Sequence, residues 1–191
     1  MIISFTGAQS TGKTTLLNLI RDKNYDFNYV DEVTRRIKRE YNLPINESGG
    51  DITQSMIMAD HIANVYKKGD HDVTVLDRCA VDGVVYTQWL YNNGQVKKAT
   101  LDHAKLIFEM LIEEYDAIFI TSPVDVELVD DGERSTNIEF REDIQSLFDM
   151  YIGHLMVDNK DENVFVVAGT VEERMNYIQK VLAKKGLDIK I

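Results

Sequence analysis

The chain has 191 residues, 44% of them hydrophobic, which is enough for one domain with a buried core and too few for two of usual size. Its 32 acidic and 21 basic residues give a net charge of −11, which repels nucleic acid over most of the surface and disfavours long polyanions as partners. The longest apolar runs are strand-length, far short of the roughly 20 residues of a membrane helix. With Cys79 alone and no basic leader before the first apolar run, a cytoplasmic protein is expected.

Apolar runs alternate with helical periodicity along the whole chain, which predicts an α/β fold with a mainly parallel sheet. The first strand is expected over Ile2–Thr6. It runs directly into Gly7-Ala8-Gln9-Ser10-Thr11-Gly12-Lys13-Thr14, a full match to G-x-x-x-x-G-K-[ST], and then into the helical run that starts at Thr15. Strand, glycine loop and helix is the order phosphate binding demands. The glycines let the backbone close around phosphates, and amides at the helix start aim positive dipole at them. A P-loop is therefore assigned to Gly7, Gln9, Ser10, Thr11, Gly12, Lys13, Thr14 and Thr15, with ATP as the expected nucleotide. Lys13 supplies a charge for the β- and γ-phosphates, and the Thr14 hydroxyl is a ligand for Mg²⁺.

The second strand is expected over Phe27–Val30, followed by Asp31 and Glu32 and a helix that carries Arg35 and Arg36. Residues 42–51 hold Pro44 and Gly49-Gly50 and read as irregular. The third strand, Val73–Leu76, delivers Asp77 and Arg78 at its end, where a second metal-side carboxylate is needed; Asp77 is assigned to Mg²⁺ and Arg78 to phosphate or substrate. A competing role for Asp77 is to cap the helix that begins near Ala80. Leu101, Ala104, Phe108, Leu111 and Tyr115 mark an amphipathic helix, Ala117–Thr121 a fourth strand, and residues 122–138 a polar, turn-rich segment. Ile144, Leu147, Tyr151 and Leu155 mark another helix before a fifth strand, Val164–Ala168. A last helix carries Val171, Met175, Ile178 and Leu182, with Gly186 as its stop. The four histidines are scattered, with no second ligand at zinc spacing.

Taken in order, the P-loop, Val30 to Arg36, Leu76-Asp77-Arg78 with Asp82 and Tyr86, Val129 to Arg134 and Ala168 to Arg174 resemble the kinase domain of the NadR-type nicotinamide riboside kinases. They are similar also to the related P-loop deoxynucleoside and thymidylate kinases. The resemblance implies a three-layer P-loop NTPase fold with a central, mainly parallel five-stranded sheet and a helical or loop lid over about residues 122–141. It implies that Glu32, or its neighbour Asp31, orients or deprotonates the acceptor hydroxyl, the competing role being an acidic cap for the following helix. Arg35 would bridge to substrate or phosphate, and Arg134 and Arg141 would swing over the transferring group from the lid, unless Arg141 pairs with neighbouring acids. Gly169 and Thr170 would form the turn beside adenine. Asp82 and Tyr86, with Tyr41 and Trp89 nearby, would line the acceptor pocket. The expected activity is ATP- and Mg²⁺-dependent phosphoryl transfer to a nucleoside or nucleotide-like small molecule. The alternatives are a kinase of a hydroxymethylated base in DNA and a regulatory ATP sensor without transfer. The oligomeric state stays open, a homodimer included.

Overall fold

The computed structural model describes residues 1–67, 71–122, 137–157 and 162–190. Five strands, β1 (Ile2–Thr6), β2 (Asn28–Val30), β3 (Thr74–Asp77), β4 (Ala117–Thr121) and β5 (Val164–Val167), form one sheet in the order β2-β3-β1-β4-β5. Every pairing is parallel. β1 and β4 have the bounds expected from the sequence, whereas β2, β3 and β5 differ by a residue. Asp77 is the last residue of β3 because it stays in register with Phe5 of β1.

Among the described residues seven α-helices connect and cover the strands: α1 (Lys13–Arg21), α2 (Val33–Tyr41), α3 (Asp51–Val65), α4 (Ala80–Asn92), α5 (Lys98–Leu111), α6 (Ile138–Val157) and α7 (Val171–Lys184). The pleat splits each central strand between two cores. Ile118 and Ile120 of β4 join Leu76, Val84, Phe108, Ile144 and Phe148 on the α4–α5–α6 side. Ala117 and Phe119 join Phe5, Leu16, Ile20, Ile178 and Leu182 on the α1–α7 side. This explains why β4 reads as an unbroken apolar run: a parallel strand covered on both faces has no wet side to alternate with. Phe5 and Phe119 stack at 5.3 Å between ring centroids and lock β1 to β4.

Tyr115 departs from the expected helical stripe. α5 ends at Leu111, a single 3₁₀ turn follows over Ile112–Glu114, and Tyr115 lies in extended backbone beyond it. Its ring is buried and its hydroxyl accepts from the Ala80 amide at 3.2 Å, so it anchors the start of α4 rather than continuing α5. Residues 42–51 contain one 3₁₀ turn, Asn46–Ser48. Of the expected lid, residues 123–136, and with them Arg134, lie outside the described residues; Arg141 sits near the start of α6. Among the described residues no helix is long and apolar enough to cross a membrane.

Candidate active site

β1 is the central strand, and its carboxyl end is where the chain's connections diverge to either side, the usual ligand crevice of an open α/β sheet. The P-loop leaves β1 there. Gly7 has φ +131° and sits so close to β4 that a Cβ would lie 2.7 Å from the Thr121 carbonyl oxygen, so no other residue fits. Thr11 closes the loop from the other side, its hydroxyl 2.9 Å from the Ala8 carbonyl, to which it donates, and 2.5 Å from the Thr121 hydroxyl. Lys13 Nζ donates to the carbonyls of Gly7 at 2.9 Å and Ala8 at 2.6 Å and to the Thr11 hydroxyl at 3.3 Å. Burial, and then repulsion from Arg78, pull its pKa down to about 7.

Two buried polar atoms of this loop, Ser10 Oγ and Gln9 Nε2, have no hydrogen-bond partner among the described residues. The other end of the Gln9 amide is occupied, since Tyr86 donates its hydroxyl to Oε1 at 3.1 Å. Such orphans are rare in a packed interior. Together with an ammonium resting on its own loop's carbonyls, they fit a site whose remaining acceptors are phosphate oxygens.

A network of carboxylates and one arginine faces the loop. Arg78 adopts φ +75°, a strained conformation for a side-chain-bearing residue. Its Nε donates to Glu32 at 2.8 Å, one guanidinium nitrogen donates to Asp82 at 2.7 Å, and the ring of Tyr86 lies 5.7 Å beneath it. Burial alone would raise the Glu32 pKa, but Arg78, Arg35 and Lys13 overcome it and hold the carboxyl below its ordinary range. Asp77 goes the other way. Burial, and then the nearby Glu32 charge, push it up to about 6. Two carboxylates repelling one another beside the Thr14 hydroxyl suit a divalent cation, and all three residues line the cleft formed by Ser10–Thr15. Among the described residues no cluster of three or more His, Cys, Asp or Glu side chains is placed for a metal. A cation here would take most of its ligands from phosphate and water, as Mg²⁺ does.

The competing helix-cap roles resolve differently. Cys79, not Asp77, is the N-cap residue of α4, and Asp82 completes its capping box by accepting from the Cys79 amide at 3.0 Å. Asp82 also accepts from Thr6, so this buried carboxylate is tied to β1, Arg78 and the helix start at once. Glu32 occupies the N-cap position of α2 but makes no side-chain capping bond there. Asp31 points elsewhere: its side chain is 90% exposed and pairs with Arg21. Arg35 reaches Glu32 at 3.1 Å. Gly169 has φ +95°, and the Thr170 hydroxyl caps α7 in a reciprocal box with Glu173. Trp89 donates to Asp143 at 2.9 Å and packs against Phe140, which binds α4 to α6, while Tyr41 is 57% exposed. Arg141 lines a separate depression along α6 with Glu142 and Gln145.

Arg174 belongs to this site and was not singled out from the sequence. Buried in the first turns of α7, it donates to the Thr11 carbonyl at 2.7 Å, the Gly169 carbonyl at 2.7 Å and the Ser122 carbonyl at 3.2 Å. One guanidinium thereby ties the P-loop to the ends of β4 and β5. A signal was present: an arginine near a helix N-terminus opposes the macrodipole, so something else must hold it. His61 and Gln54 were also missed; they line a small cavity with Glu32, Arg78, Asp82 and Tyr86. A cavity of about 620 Å³ between α4, α5 and α6 holds none of these groups.

Several solved structures share this architecture. NadR protein in complex with NR superposes with a TM-score of 0.75 at 20% identity, over 100% of this chain and 53% of that one. The deoxyadenosine kinase of M. mycoides with the products dCMP and a flexible dCDP gives 0.70 at 13%, over 97% and 100%. The thymidylate kinase of Candida albicans gives 0.66 at 13%, over 99% and 96%. The chain spans about half the length of the NadR structures it matches. Identities this low establish a common fold with these structures. No curated protein matches the sequence. Residues 2–174 match the family described as AAA domain, and with nearly the whole sequence so covered the chain belongs to that family.

Proposed function

We propose that the protein is an ATP- and Mg²⁺-dependent phosphotransferase acting on a nucleoside-like small molecule. One observation carries the reading: a single cleft gathers Ser10–Thr15 with Glu32, Asp77 and Arg78, a phosphate cradle beside the charges that transfer requires. The fold held in common with NadR, deoxyadenosine kinase and thymidylate kinase supports the substrate class.

In the transfer, the bond from the terminal phosphorus to the β-phosphate oxygen breaks, a bond to the acceptor oxygen forms, and ADP leaves. The protein's part is position and charge. P-loop amides hold the β-phosphate, and the Ser10 hydroxyl and the Gln9 amide nitrogen donate to its neighbours. Lys13 exchanges the Gly7 and Ala8 carbonyls for phosphate oxygens, which restores its full charge. Thr14 and Asp77 would hold Mg²⁺, which neutralises charge on the β- and γ-phosphates when bound. Arg78, fixed by Glu32 and Asp82, faces the transferring group from a buried position. Glu32 is ionised and held between two arginines, so it orients the acceptor and takes little part in removing a proton. The turn at Gly169 and Thr170 lies on the base side, and Arg134 and Arg141 are candidates for closing over the site.

ADP release from MgATP, measured across a panel of nucleosides and nucleotides, tests this. At least one acceptor should stimulate it strongly. If ATP binds and no member of a broad panel stimulates release, the proposal fails and binding without transfer takes its place.

A further inference from the structure

A cavity of about 430 Å³ lies on the β2 side of Glu32. Arg35, Arg36 and Arg39 of α2 and Lys67 beyond α3 wall it, and Thr14 and Asp77 lie at its inner end. Its volume is that of a small-molecule site. On a chain with a net charge of −11, four cations around one hollow run against the average.

Their partners show how much of that charge is available. Arg36 is matched by Asp60, and Arg35 by Glu32. Among the described residues Arg39 pairs with its neighbour Glu40 alone, at 3.6 Å with the arginine side chain 75% exposed, an arrangement worth little. Lys67 makes no ion pair among the described residues. Three carboxylates also line the hollow, but each is engaged or set inward: Asp31 pairs with Arg21, Glu32 is shared between Arg35 and Arg78, and Asp77 also lines the phosphate cleft. The hollow is therefore positive at its outer wall and open to the transfer centre at its inner end.

The space on the other side of Glu32 is a poorer receptacle for an anion. It measures about 20 Å³, is lined by Gln54, His61 and Asp82, and Arg78, the one arginine or lysine lining it among the described residues, is already engaged by two carboxylates.

We propose that the cationic cavity binds a phosphate ester, so that the acceptor is a nucleoside monophosphate or similar phosphomonoester rather than an uncharged nucleoside. This rests on the phosphotransferase reading above and narrows it. An ionised oxygen of the acceptor phosphate attacks the terminal phosphorus of ATP, the bond to the β-phosphate oxygen breaks with its electron pair leaving on ADP, and a phosphoanhydride results. No proton need be removed from the nucleophile. That accords with a Glu32 carboxylate committed to two guanidinium groups.

Calorimetry with nucleosides and their 5′-monophosphates, in the presence of Mg²⁺ and the inert analogue AMP-PNP, tests the inference. At least one monophosphate should bind about ten- to hundredfold more tightly than its own nucleoside, the range for charge-assisted hydrogen bonds to a phosphate. An Arg39→Gln/Lys67→Gln double variant, altered only at exposed side chains, should bring the two within about threefold while AMP-PNP binds as before. Equal affinity for nucleoside and monophosphate, or a preference that survives the double variant, overturns the proposal and leaves the kinase reading standing. Failure of AMP-PNP itself to bind overturns both.

Discussion

Replacing Arg174 by methionine keeps most of the side chain's volume and removes the guanidinium that joins the P-loop to the ends of β4 and β5. The carbonyls of Thr11 and Gly169, each accepting at 2.7 Å, and of Ser122 at 3.2 Å lose a charged donor. Hydrogen bonds to charged groups contribute about 1.5–3 kcal/mol each. Removing the guanidinium also removes the cost of burying it, and water can reach the cleft side, so a net loss of about 2–4 kcal/mol follows, a large share of a typical 5–15 kcal/mol. Urea denaturation followed through the single tryptophan, Trp89, which lies at the α4–α6 contact, measures the loss. Under conditions where the variant is still folded, AMP-PNP affinity should fall by about tenfold, because the peptide that carries the Thr11 carbonyl is no longer held. An Arg174→Lys variant retains charge but cannot span three carbonyls, so it should recover less than half of either effect. If Arg174→Met unfolds within about 0.5 kcal/mol of the parent and binds the analogue equally well, the guanidinium does not brace the P-loop.

Lys13→Ala should abolish detectable nucleotide binding by calorimetry, whereas Glu32→Gln should bind AMP-PNP within about threefold of the parent and lose most of its turnover. Unchanged turnover in Glu32→Gln would remove that residue from the site. Gly7→Ala places a methyl group 2.7 Å from the Thr121 carbonyl oxygen at φ +131°, so it should cost about 2 kcal/mol or more and weaken nucleotide binding; a neutral result in both would contradict the close approach of the loop to β4. Burial, with smaller and opposing effects from Asp82 and Arg78, lowers the His61 pKa from 6.5 to about 4. Between those values the unfolded chain binds a proton that the folded one does not, so stability rises with pH across the window. It is lost as pH falls from about 6.5 toward about 4, by at most about 3 kcal/mol. His61→Gln should flatten that part of the stability profile relative to the parent; parallel profiles would show that the imidazole titrates freely.

What could be read along the chain was whatever depends on neighbours in sequence. The P-loop announces itself because glycines at 7 and 12 and the lysine at 13 set a local backbone path, and β4 because a strand covered on both faces is apolar throughout. An α/β fold with a mainly parallel sheet follows from the alternation of such runs with helical periodicity. Even Asp77 could be placed at a strand end, although the register with Phe5 decided that it closes β3 rather than follows it.

The partners of the charged side chains were another matter. Glu32 and Arg78 are 46 residues apart and meet because β2 and β3 are neighbours in the sheet. Arg174 reaches Thr11 across 163 residues because β4 and β5 bring the start of α7 alongside the loop. Asp82, expected to touch substrate, is committed to Thr6, Arg78 and the Cys79 amide. An ionisable group's partner, and so its charge state, depends on which strands lie side by side and on how much water is shut out, and neither is a property of any short stretch of residues.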